Sequence, residues 1–565
     1  MLKRNAAFLL SFLLSFHLVT NYIWLKIDSV PLIFDSHEYF MSSLYVFDAF
    51  KTPPFGFLSN IVKAVLEARR PSLFVQLVTV PFYAIFGRSE DIAVISHVFV
   101  FLFVLIFSVY RIGKKIADKR VGLLAAFIIT LYPIIFNQMR VYMLDLPLTS
   151  MTALSIYLLL CTADFTNLRY SIAFGISCGL SMLIKANFLI FILCPLSIIL
   201  VKSIFEYFRQ SQHSLSLLKR KLQNFFYSSL TAAIIFLPLY VKFLNLYLVY
   251  PQHWGLLKNP GFLWRFVSLI WYFKTFIENQ LSFLFFAIFI IGMVFFLFHF
   301  KNNKAKYTLL SWIIPPFFLI SLYLCFMRGY SDMEWMYVRY TMPILPAVAI
   351  ITAIGLSGIL GNLKLRSMIV SLLFCAGLIQ FFAISYGMPA LSENLSIRMP
   401  FFKNNVFLPQ EIVFFKQPLP LPCSHFSYPL PGEERWLENT LGLIKNNSDE
   451  ARTIRIAIIN DIAPLWAYLR YKTYNDKLPF IISGDLPVIF YHNVVPYEQL
   501  ILGSDYVIIK TGDWSYRCWV ERPYYLEETE KAMNFFKEHI NSFNLAGRVK
   551  VSGDSEVLIY KKAGI

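Results

Sequence analysis

The sequence predicts a polytopic α-helical membrane protein, and both its composition and the placement of its charges support that prediction. Hydrophobic residues make up 57% of the 565 residues, charged residues make up 15%, and the mean hydropathy is +0.58. Soluble chains usually carry about 25% charged residues. A soluble fold of this length cannot bury so much apolar surface, so lipid must be the solvent of most of the chain. The same figures exclude disordered, collagen-like and disulfide-scaffold proteins.

The net charge of +17 does not indicate a nucleic-acid-binding protein, although phosphate-binding surfaces are basic. Most Lys and Arg residues stand in short segments between apolar runs. In membrane proteins, basic residues at such positions set the orientation of the helices. We therefore expect membrane lipid, and no nucleic acid, among the partners.

Apolar runs of roughly 20 residues predict eleven membrane spans, and basic residues decide their orientation. The run 72–87 is short and contains Pro81, so it is expected to lie on the membrane rather than cross it. The basic loop 111–120 is then cytoplasmic, as the positive-inside rule requires, and later basic loops fall on the same side. The expected spans are residues 6–25, 91–110, 120–137, 146–163, 170–185, 187–207, 225–249, 281–300, 307–327, 339–360 and 367–387.

This topology divides the chain into a membrane domain and a C-terminal domain. Residues 1–387 form the expected transmembrane catalytic domain, with a cytoplasmic N-terminus and an external loop over residues 26–91 that carries surface helices. Residues 388–450 include a Pro-rich stretch and are expected to form a linker. Residues 451–565 are expected to form an extracytoplasmic α/β domain, because strand patterns alternate with helix patterns. The expected strands are 455–460, 506–511 and 556–560, and the expected helices are 465–472 and 528–539.

Two acidic residues stand at the external ends of predicted spans. Asp35 follows the first span, and Asp145 lies between the third and fourth spans. A helix cap is the structural explanation of each of them taken singly, since Asp is favoured at helix N-termini. Together with nearby Arg and Lys residues, they would also suit sugar transfer from a lipid phosphate. In such a reaction a base removes the acceptor proton, and cations neutralise the departing phosphate.

Several segments resemble one known family in their order along the chain. Asp35 and Tyr39 fit an Asp-Glu-x-x-Tyr pattern in which Ser36 replaces the Glu. Further matching segments are Arg70-Pro71-Ser72-Leu73, Phe86-Gly87-Arg88-Ser89-Glu90, Gly113-Lys114-Lys115, Arg140 with Asp145, Gly179 to Lys185, and Arg339-Tyr340-x-x-Pro343-x-x-Pro346. They are similar to segments of the GT-C glycosyltransferases, specifically glycosyltransferase family 39, which contains protein O-mannosyltransferases and the lipid A aminoarabinose transferase.

The resemblance implies an inverting glycosyltransferase. Its donor would be a polyprenyl- or dolichyl-phosphate sugar, and its acceptor would be a hydroxyl of a glycan, lipid or protein on the extracytoplasmic side of a bacterial plasma membrane. Asp35 would be the catalytic base, and Asp145 would position the acceptor or stabilise the site. The residues expected to bind the donor phosphate are Lys185, Arg339 and Arg140. Those expected in the substrate loop are Tyr39, Glu38, Arg70 and Tyr340.

A divalent metal is the one cofactor that the residues suggest. His37, Glu38 and His253 carry suitable ligand atoms, although a solvated loop explains a scattered set of this kind as well. The sequence does not name the metal, the sugar or the acceptor.

Three other functions remain open at this point. A transporter would place polar groups or broken helices near the bilayer midplane, whereas the charges of this chain gather at one surface. A catalytically inactive relative would bind a lipid-linked glycan without transferring it. An oligosaccharyltransferase or polymerase would use a lipid diphosphate and would be expected to need a metal.

Overall fold

The computed structural model describes most of the chain. Its residues group into two compact units, which are described separately: residues 1–24 with 42–419, and residues 25–41 with 420–565. The described residues are 2–68, 71–209, 215–244, 269–270, 272–323, 338–359, 363–386, 396–398, 411–413, 432, 434–448, 452–459, 463–483, 496–512, 523–551 and 554–564.

The described residues between positions 2 and 386 are helical almost throughout. Within the described residues, eight helical runs are long and apolar enough to cross a membrane, and two more, Leu73–Phe86 and Asp145–Cys161, are shorter. The predicted number of eleven crossings stays a prediction. The α-helices are Leu2–Ile27, Phe34–Phe50, Phe57–Glu67, Leu73–Phe86, Glu90–Ile116, Lys119–Thr130, Pro133–Gln138, Asp145–Cys161, Leu168–Met182, Phe188–Arg209, Leu215–Lys242, Ser282–His299, Asn303–Tyr323, Leu345–Ile359 and Leu363–Tyr386.

One predicted span is wrong as a single helix. Residues 120–137 form two helices, Lys119–Thr130 and Pro133–Gln138, separated by Leu131 and Tyr132. Pro133 ends the first helix early because it has no N–H to donate, and the same residue suits the first turn of the next helix. The polypeptide that follows, up to Asp145, is fully buried.

Two irregular helical segments precede long helices. Phe276–Leu281 is a π-helix that continues into Ser282–His299, and Val338–Ile344 is a 3₁₀-helix that continues into Leu345–Ile359. Single turns of π-helix occur frequently at functional sites. The sequence did not predict either irregularity.

Glycines allow neighbouring helices of the first unit to approach closely. A Cβ added at Gly355 would lie 2.2 Å from the Cα of Gly292, so helices Ser282–His299 and Leu345–Ile359 are in backbone contact there. A Cβ added at Gly122 would lie 2.4 Å from the carbonyl oxygen of Tyr110. Small residues of this kind are typical of packed membrane helices.

The second unit contains a five-stranded mixed sheet. A short antiparallel pair, β1 (Ser396–Arg398) with β2 (Glu411–Val413), precedes it in the chain. The sheet has the order β4-β3-β5-β7-β6, in which β3 is parallel to β4 and β5 while β7 is antiparallel to β5 and β6. Its strands are β3 (Ile454–Ile458), β4 (Phe480–Ser483), β5 (Tyr506–Thr511), β6 (Phe543–Lys550) and β7 (Glu556–Lys562).

The predicted α/β character of this domain is confirmed. All three predicted strands and both predicted helices are present, the helices as Ala463–Asn475 and Pro523–Glu538. Helix Glu434–Asn446, which lies inside the predicted linker 388–450, contributes Trp436, Leu437 and Ile444 to the main apolar core. The sheet domain therefore begins before residue 451.

Candidate active site

A buried cluster of one carboxylate and two cations lies in the first unit. Asp145 is the first residue of helix Asp145–Cys161, and its side chain is 2% exposed. The Nζ of Lys185 lies 3.1 Å from the Oδ1 of Asp145. The Nε of Arg339 lies 3.2 Å from the Oδ2 of the same residue. The fold thus joins three predicted site residues that are far apart in the sequence.

Each cation is presented by a tight turn. Lys185 follows helix Leu168–Met182, and its N–H donates to the carbonyl of Ser181 at 3.2 Å. Arg339 lies in the 3₁₀-helix Val338–Ile344. Because such turns leave few backbone alternatives, the two side chains start from well-defined positions.

Tyr340 completes the cluster through its ring. The Nζ of Lys185 lies 4.3 Å from the ring centroid, and the Cζ of Arg339 lies 5.9 Å from it. A cation within about 6 Å of an aromatic face is attracted by the ring quadrupole. The predicted substrate-loop residue Tyr340 therefore contacts both of the predicted phosphate-binding cations.

Gln280 holds the 3₁₀-helix from the side. Its Nε2 donates to the carbonyl of Val338 at 2.7 Å and to the Oγ1 of Thr341 at 2.6 Å. Gln280 is fully buried in the π-helix, so these hydrogen bonds join the two irregular segments. These two bonds from one amide nitrogen hold the 3₁₀-helix on both sides of Arg339.

The residues predicted around Asp35 lie in the second unit. Asp35 is in the first turn of helix Phe34–Phe50, and its side chain is half-buried, as is that of Tyr39. Glu38 forms an ion pair with Arg470. The ring of His37 is fully buried and lies 5.3 Å from the ring of Trp466. Burial, with the nearby Arg470 charge adding to it, holds the pKa of His37 well below its ordinary value.

The comparisons with known proteins agree on the class of fold. Residues 70–240 match the family model of dolichyl-phosphate-mannose-protein mannosyltransferase. The chain is similar to the crystal structure of ArnT from Cupriavidus metallidurans bound to undecaprenyl phosphate, with a TM-score of 0.58, 15% identity and 97% of each chain covered. This chain has the GT-C glycosyltransferase fold. The apo structure of the same ArnT matches with a TM-score of 0.55 and 13% identity, again over 97% of each chain.

The predicted resemblance to the GT-C glycosyltransferases is therefore confirmed. The family match also confirms the predicted class of enzyme, a glycosyltransferase that uses a lipid-linked sugar donor. A weaker likeness, with a TM-score of 0.47 and 14% identity, exists to the oligosaccharyltransferase of Archaeoglobus fulgidus in complex with Zn and sulfate, and it covers 88% of this chain and 68% of that one. No curated protein matches the sequence.

Arg140, the third predicted phosphate-binding residue of the GT-C domain, forms contacts that hold helix Leu363–Tyr386 in place. Its Nη1 lies 3.4 Å from the Oδ1 of Asn137, and its Nη2 donates to the Oγ of Ser385. Its guanidinium also lies 5.1 Å from the ring of Trp24 and 5.6 Å from that of Phe136. These contacts give Arg140 a structural part, and its predicted role at the donor stays a prediction.

Sequence reasoning missed one buried carboxylate in the GT-C domain. Glu278 lies in the π-helix and is 6% exposed, within the apolar run Tyr272–His299. The signal was present, because an acidic residue inside an apolar run of this length is a functional-site candidate by default. It was overlooked because the predicted span began only at residue 281.

The candidate metal ligands do not assemble into a site among the described residues. Glu38 is paired with Arg470, and His37 is packed against Trp466. In the part of the chain that the structure describes, no group of three or more His, Cys, Asp or Glu residues has the arrangement needed to hold a metal ion. His253, and likewise the predicted substrate residue Arg70, lie outside the described residues.

Proposed function

We propose that this protein transfers a sugar, with inversion, from a polyprenyl- or dolichyl-phosphate carrier to an acceptor hydroxyl. The reaction would take place on the extracytoplasmic side of a bacterial plasma membrane, with the N-terminus in the cytoplasm. The family match of residues 70–240 and the GT-C fold support the class of reaction. The relative bound to undecaprenyl phosphate supports a polyprenyl phosphate as the carrier.

The observation that carries this proposal is the shared ion pair of Asp145, Lys185 and Arg339. A guanidinium and an ammonium on one carboxylate are already oriented towards a common point. Phosphate oxygens offer these donors the same kind of partner as carboxylate oxygens do. The side chain of Lys185 is 20% exposed and the other two are nearly inaccessible, so Lys185 is the cation with an open side towards a ligand.

The chemistry balances without a cofactor. The oxygen of the acceptor hydroxyl attacks the anomeric carbon of the donor sugar, and its proton passes to the carboxylate proposed as base, that of Asp35. The bond between the anomeric carbon and the phosphate oxygen breaks, and the carrier phosphate leaves with that electron pair. Lys185 and Arg339 neutralise the charge that develops on this oxygen, which is the largest single contribution expected of such a site.

Replacing the two cations tests the donor site. We expect Lys185→Gln and Arg339→Gln each to lower kcat/KM for the lipid-phosphate sugar roughly 10- to 100-fold, because a hydrogen bond to a charged group contributes about 1.5–3 kcal/mol. Lys304→Gln is the matched control: it removes another ion pair, 2.6 Å from Asp164, and should leave kcat/KM unchanged. Purified protein with an undecaprenyl-phosphate sugar and a labelled acceptor provides the assay. Wild-type kcat/KM in both cation variants would contradict the donor site.

Asp35→Asn tests the base. A positioned general base contributes about 100-fold or more to kcat, so the variant should lose that factor while its equilibrium binding of undecaprenyl phosphate stays at the wild-type value. Unchanged transfer in Asp35→Asn would remove the base assignment without affecting the donor site.

Comparing two kinds of donor separates the proposal from its nearest enzymatic alternative. Activity with monophosphate donors that survives a chelator is expected for the proposed reaction. Activity restricted to lipid diphosphate donors and abolished by the chelator would instead identify an oligosaccharyltransferase or polymerase.

A further inference from the structure

The helix that carries Asp35 packs on the C-terminal domain. The first two turns of helix Phe34–Phe50 contact helix Ala463–Asn475, and both segments belong to the second unit. One contact joins residues 432 positions apart in the sequence. A loop that follows the first predicted span is therefore held by a domain from the far end of the chain.

The contact has an apolar part with helical spacing. Three pairs of side chains form it: Ile33 with Ala467 in one fully buried cluster, His37 with Trp466 at 5.3 Å between ring centroids, and Phe40 with Tyr471 at 5.2 Å. On the first segment the participating residues recur three or four positions apart, and on helix Ala463–Asn475 Tyr471 stands four positions after Ala467, with Trp466 next to it. Each set therefore lies along one side of its segment. Such a face fixes the rotation of a helix about its axis, and therefore the direction of the residues next to it.

The contact also has a polar part. Arg470 forms an ion pair with Glu38, and its guanidinium lies 4.9 Å from the ring of Trp466. Both charged side chains are 27% exposed, and an ion pair with that exposure contributes little to stability. Its effect is on orientation, because a guanidinium stacked on an indole ring has few other positions from which to reach the carboxylate.

Asp35 lies at the edge of this contact. It is half-buried, whereas its neighbours Ser36 and His37 are fully buried. A reacting carboxylate must be held within about 0.5 Å of its productive position by packed and hydrogen-bonded neighbours. We propose that Arg470 and Trp466 of the C-terminal domain are positioning residues that hold the helix of Asp35 in its catalytic orientation.

This inference rests on the proposed role of Asp35 as base, and it assigns a function to the C-terminal domain. Arg470 and Trp466 act through Glu38 and His37, and the step they affect is the deprotonation of the acceptor. Their loss should therefore reduce kcat and leave the KM of the donor nearly unchanged, since the donor cations belong to the other unit.

Charge exchange across the ion pair is the main experiment. In the full-length protein, Arg470→Glu and Glu38→Lys should each lower kcat at least 10-fold, because a misplacement of about 1 Å costs about 100-fold in rate. The donor KM should stay within threefold. The double variant carrying both changes should return to within threefold of the wild-type kcat, which a loss of folding could not do.

Two further variants keep the test decisive. Arg452→Glu breaks an ion pair of the same unit, in which its Nη2 lies 2.6 Å from the Oδ1 of Asp505, and should leave kcat unchanged. Should the charge-exchanged double variant show a lowered thermal midpoint, Arg470→Lys compared with Arg470→Ala takes its place. Lys keeps the charge near Glu38, so its kcat should exceed that of the Ala variant at least threefold.

Hydrogen–deuterium exchange of residues 34–41 gives a readout that needs no turnover. Arg470→Glu should speed exchange there at least fivefold, and the double variant should restore protection. Wild-type kcat in Arg470→Glu, or a reduced kcat that neither the double variant nor Lys at position 470 restores, overturns the positioning role. If the exchange result holds but the wild-type protein transfers no sugar, the fault lies in the proposed function and not in the contact.

Discussion

At the scale of single residues, a buried carboxylate of the membrane domain is stabilised by two cations that pair with it. Asp145 is nearly inaccessible and has cationic partners on both carboxylate oxygens. Removing one member of a buried ion pair costs about 3–5 kcal/mol, because the other member is left uncompensated. The ion pairs of Asp145 therefore stabilise the fold, and Lys185 remains accessible to a phosphate.

His37 provides a prediction on pH. Its neutral ring is buried and its pKa is held well below the ordinary value of about 6.5. The unfolded state therefore binds one more proton once the pH falls below about 6.5, and stability should fall with the pH by up to about 1.4 kcal/mol per unit. Thermal unfolding of the full-length protein between pH 7.5 and 5 measures this dependence. His37→Gln, which cannot take up the proton, should flatten it, and equal slopes in the two proteins would contradict the assignment.

At this scale, the sequence predicted residues that are chemically conspicuous. Asp145 was noticed as a carboxylate at the end of a predicted span, the resemblance to the GT-C glycosyltransferases indicated Lys185 and Arg339, and the structure brings these three together. Gln280 was missed because a single amide carries no such signal. Arg470 was missed because an Arg on a polar helix of an α/β domain is usually an ordinary surface residue.

At the scale of elements, helix Phe57–Glu67 of the first unit has three distinct faces. Ala64 is buried, and just beyond the C-terminus of the helix the Nζ of Lys242 donates to the carbonyl of Ala68 at 2.6 Å. Leu58, Val62 and Leu66 follow one another at four-residue spacing and are 51–74% exposed. Ser59, Lys63 and Glu67 form a polar stripe beside them. A helix that lies in the membrane interface needs separate faces for contact with protein, lipid and water.

We predict that this helix lies at the lipid surface with Leu58, Val62 and Leu66 in the acyl region. A nitroxide label at position 62 should be accessible to oxygen and protected from a water-soluble relaxing agent, and a label at position 67 should show the reverse. Electron paramagnetic resonance in reconstituted vesicles measures both accessibilities. Equal exposure of the two labels to the aqueous agent would place the helix in water.

The contact of two helices at Gly355 provides a second prediction at this scale. Gly355→Ala should lower the thermal midpoint of the protein in detergent, because its new methyl group meets the backbone of Gly292 and overpacking costs about 1–3 kcal/mol. Gly442→Ala is the control, since nothing lies within 4 Å of the added group. It should instead stabilise helix Glu434–Asn446 by up to about 1 kcal/mol. A loss of stability in the control, or none at position 355, would contradict this account.

The elements that hydropathy predicted well are those that tertiary packing left regular. Helix Glu90–Ile116 has a Ser89 cap and acidic residues in its first turn, so local signals and hydropathy agree. The break at Leu131 and Tyr132 was missed because apolar residues continue through it, and hydropathy does not register a change of direction. Helix Glu434–Asn446 was hidden by the Pro-rich stretch before it, although its apolar residues recur with helical spacing.

At the scale of the whole molecule, the distribution of basic residues predicts orientation. Alkaline phosphatase fused after Ile565 should be active, because the C-terminal domain is expected on the extracytoplasmic side, and a fusion after Lys304 should be inactive. Activity measured in intact bacterial cells gives the answer, with immunoblots to correct for expression. The opposite pattern would invert the topology and move the proposed donor site to the cytoplasmic face.

The side-chain bond from Gln280 to the carbonyl of Val338 has an evolutionary consequence. This bond fixes the turn that carries the guanidinium of Arg339. The ammonium of Lys185, in contrast, ends a flexible side chain that is partly exposed. Relatives that accept a bulkier or more highly charged headgroup should therefore diversify around position 185. The residues at positions 339 and 280 would change together or remain unchanged.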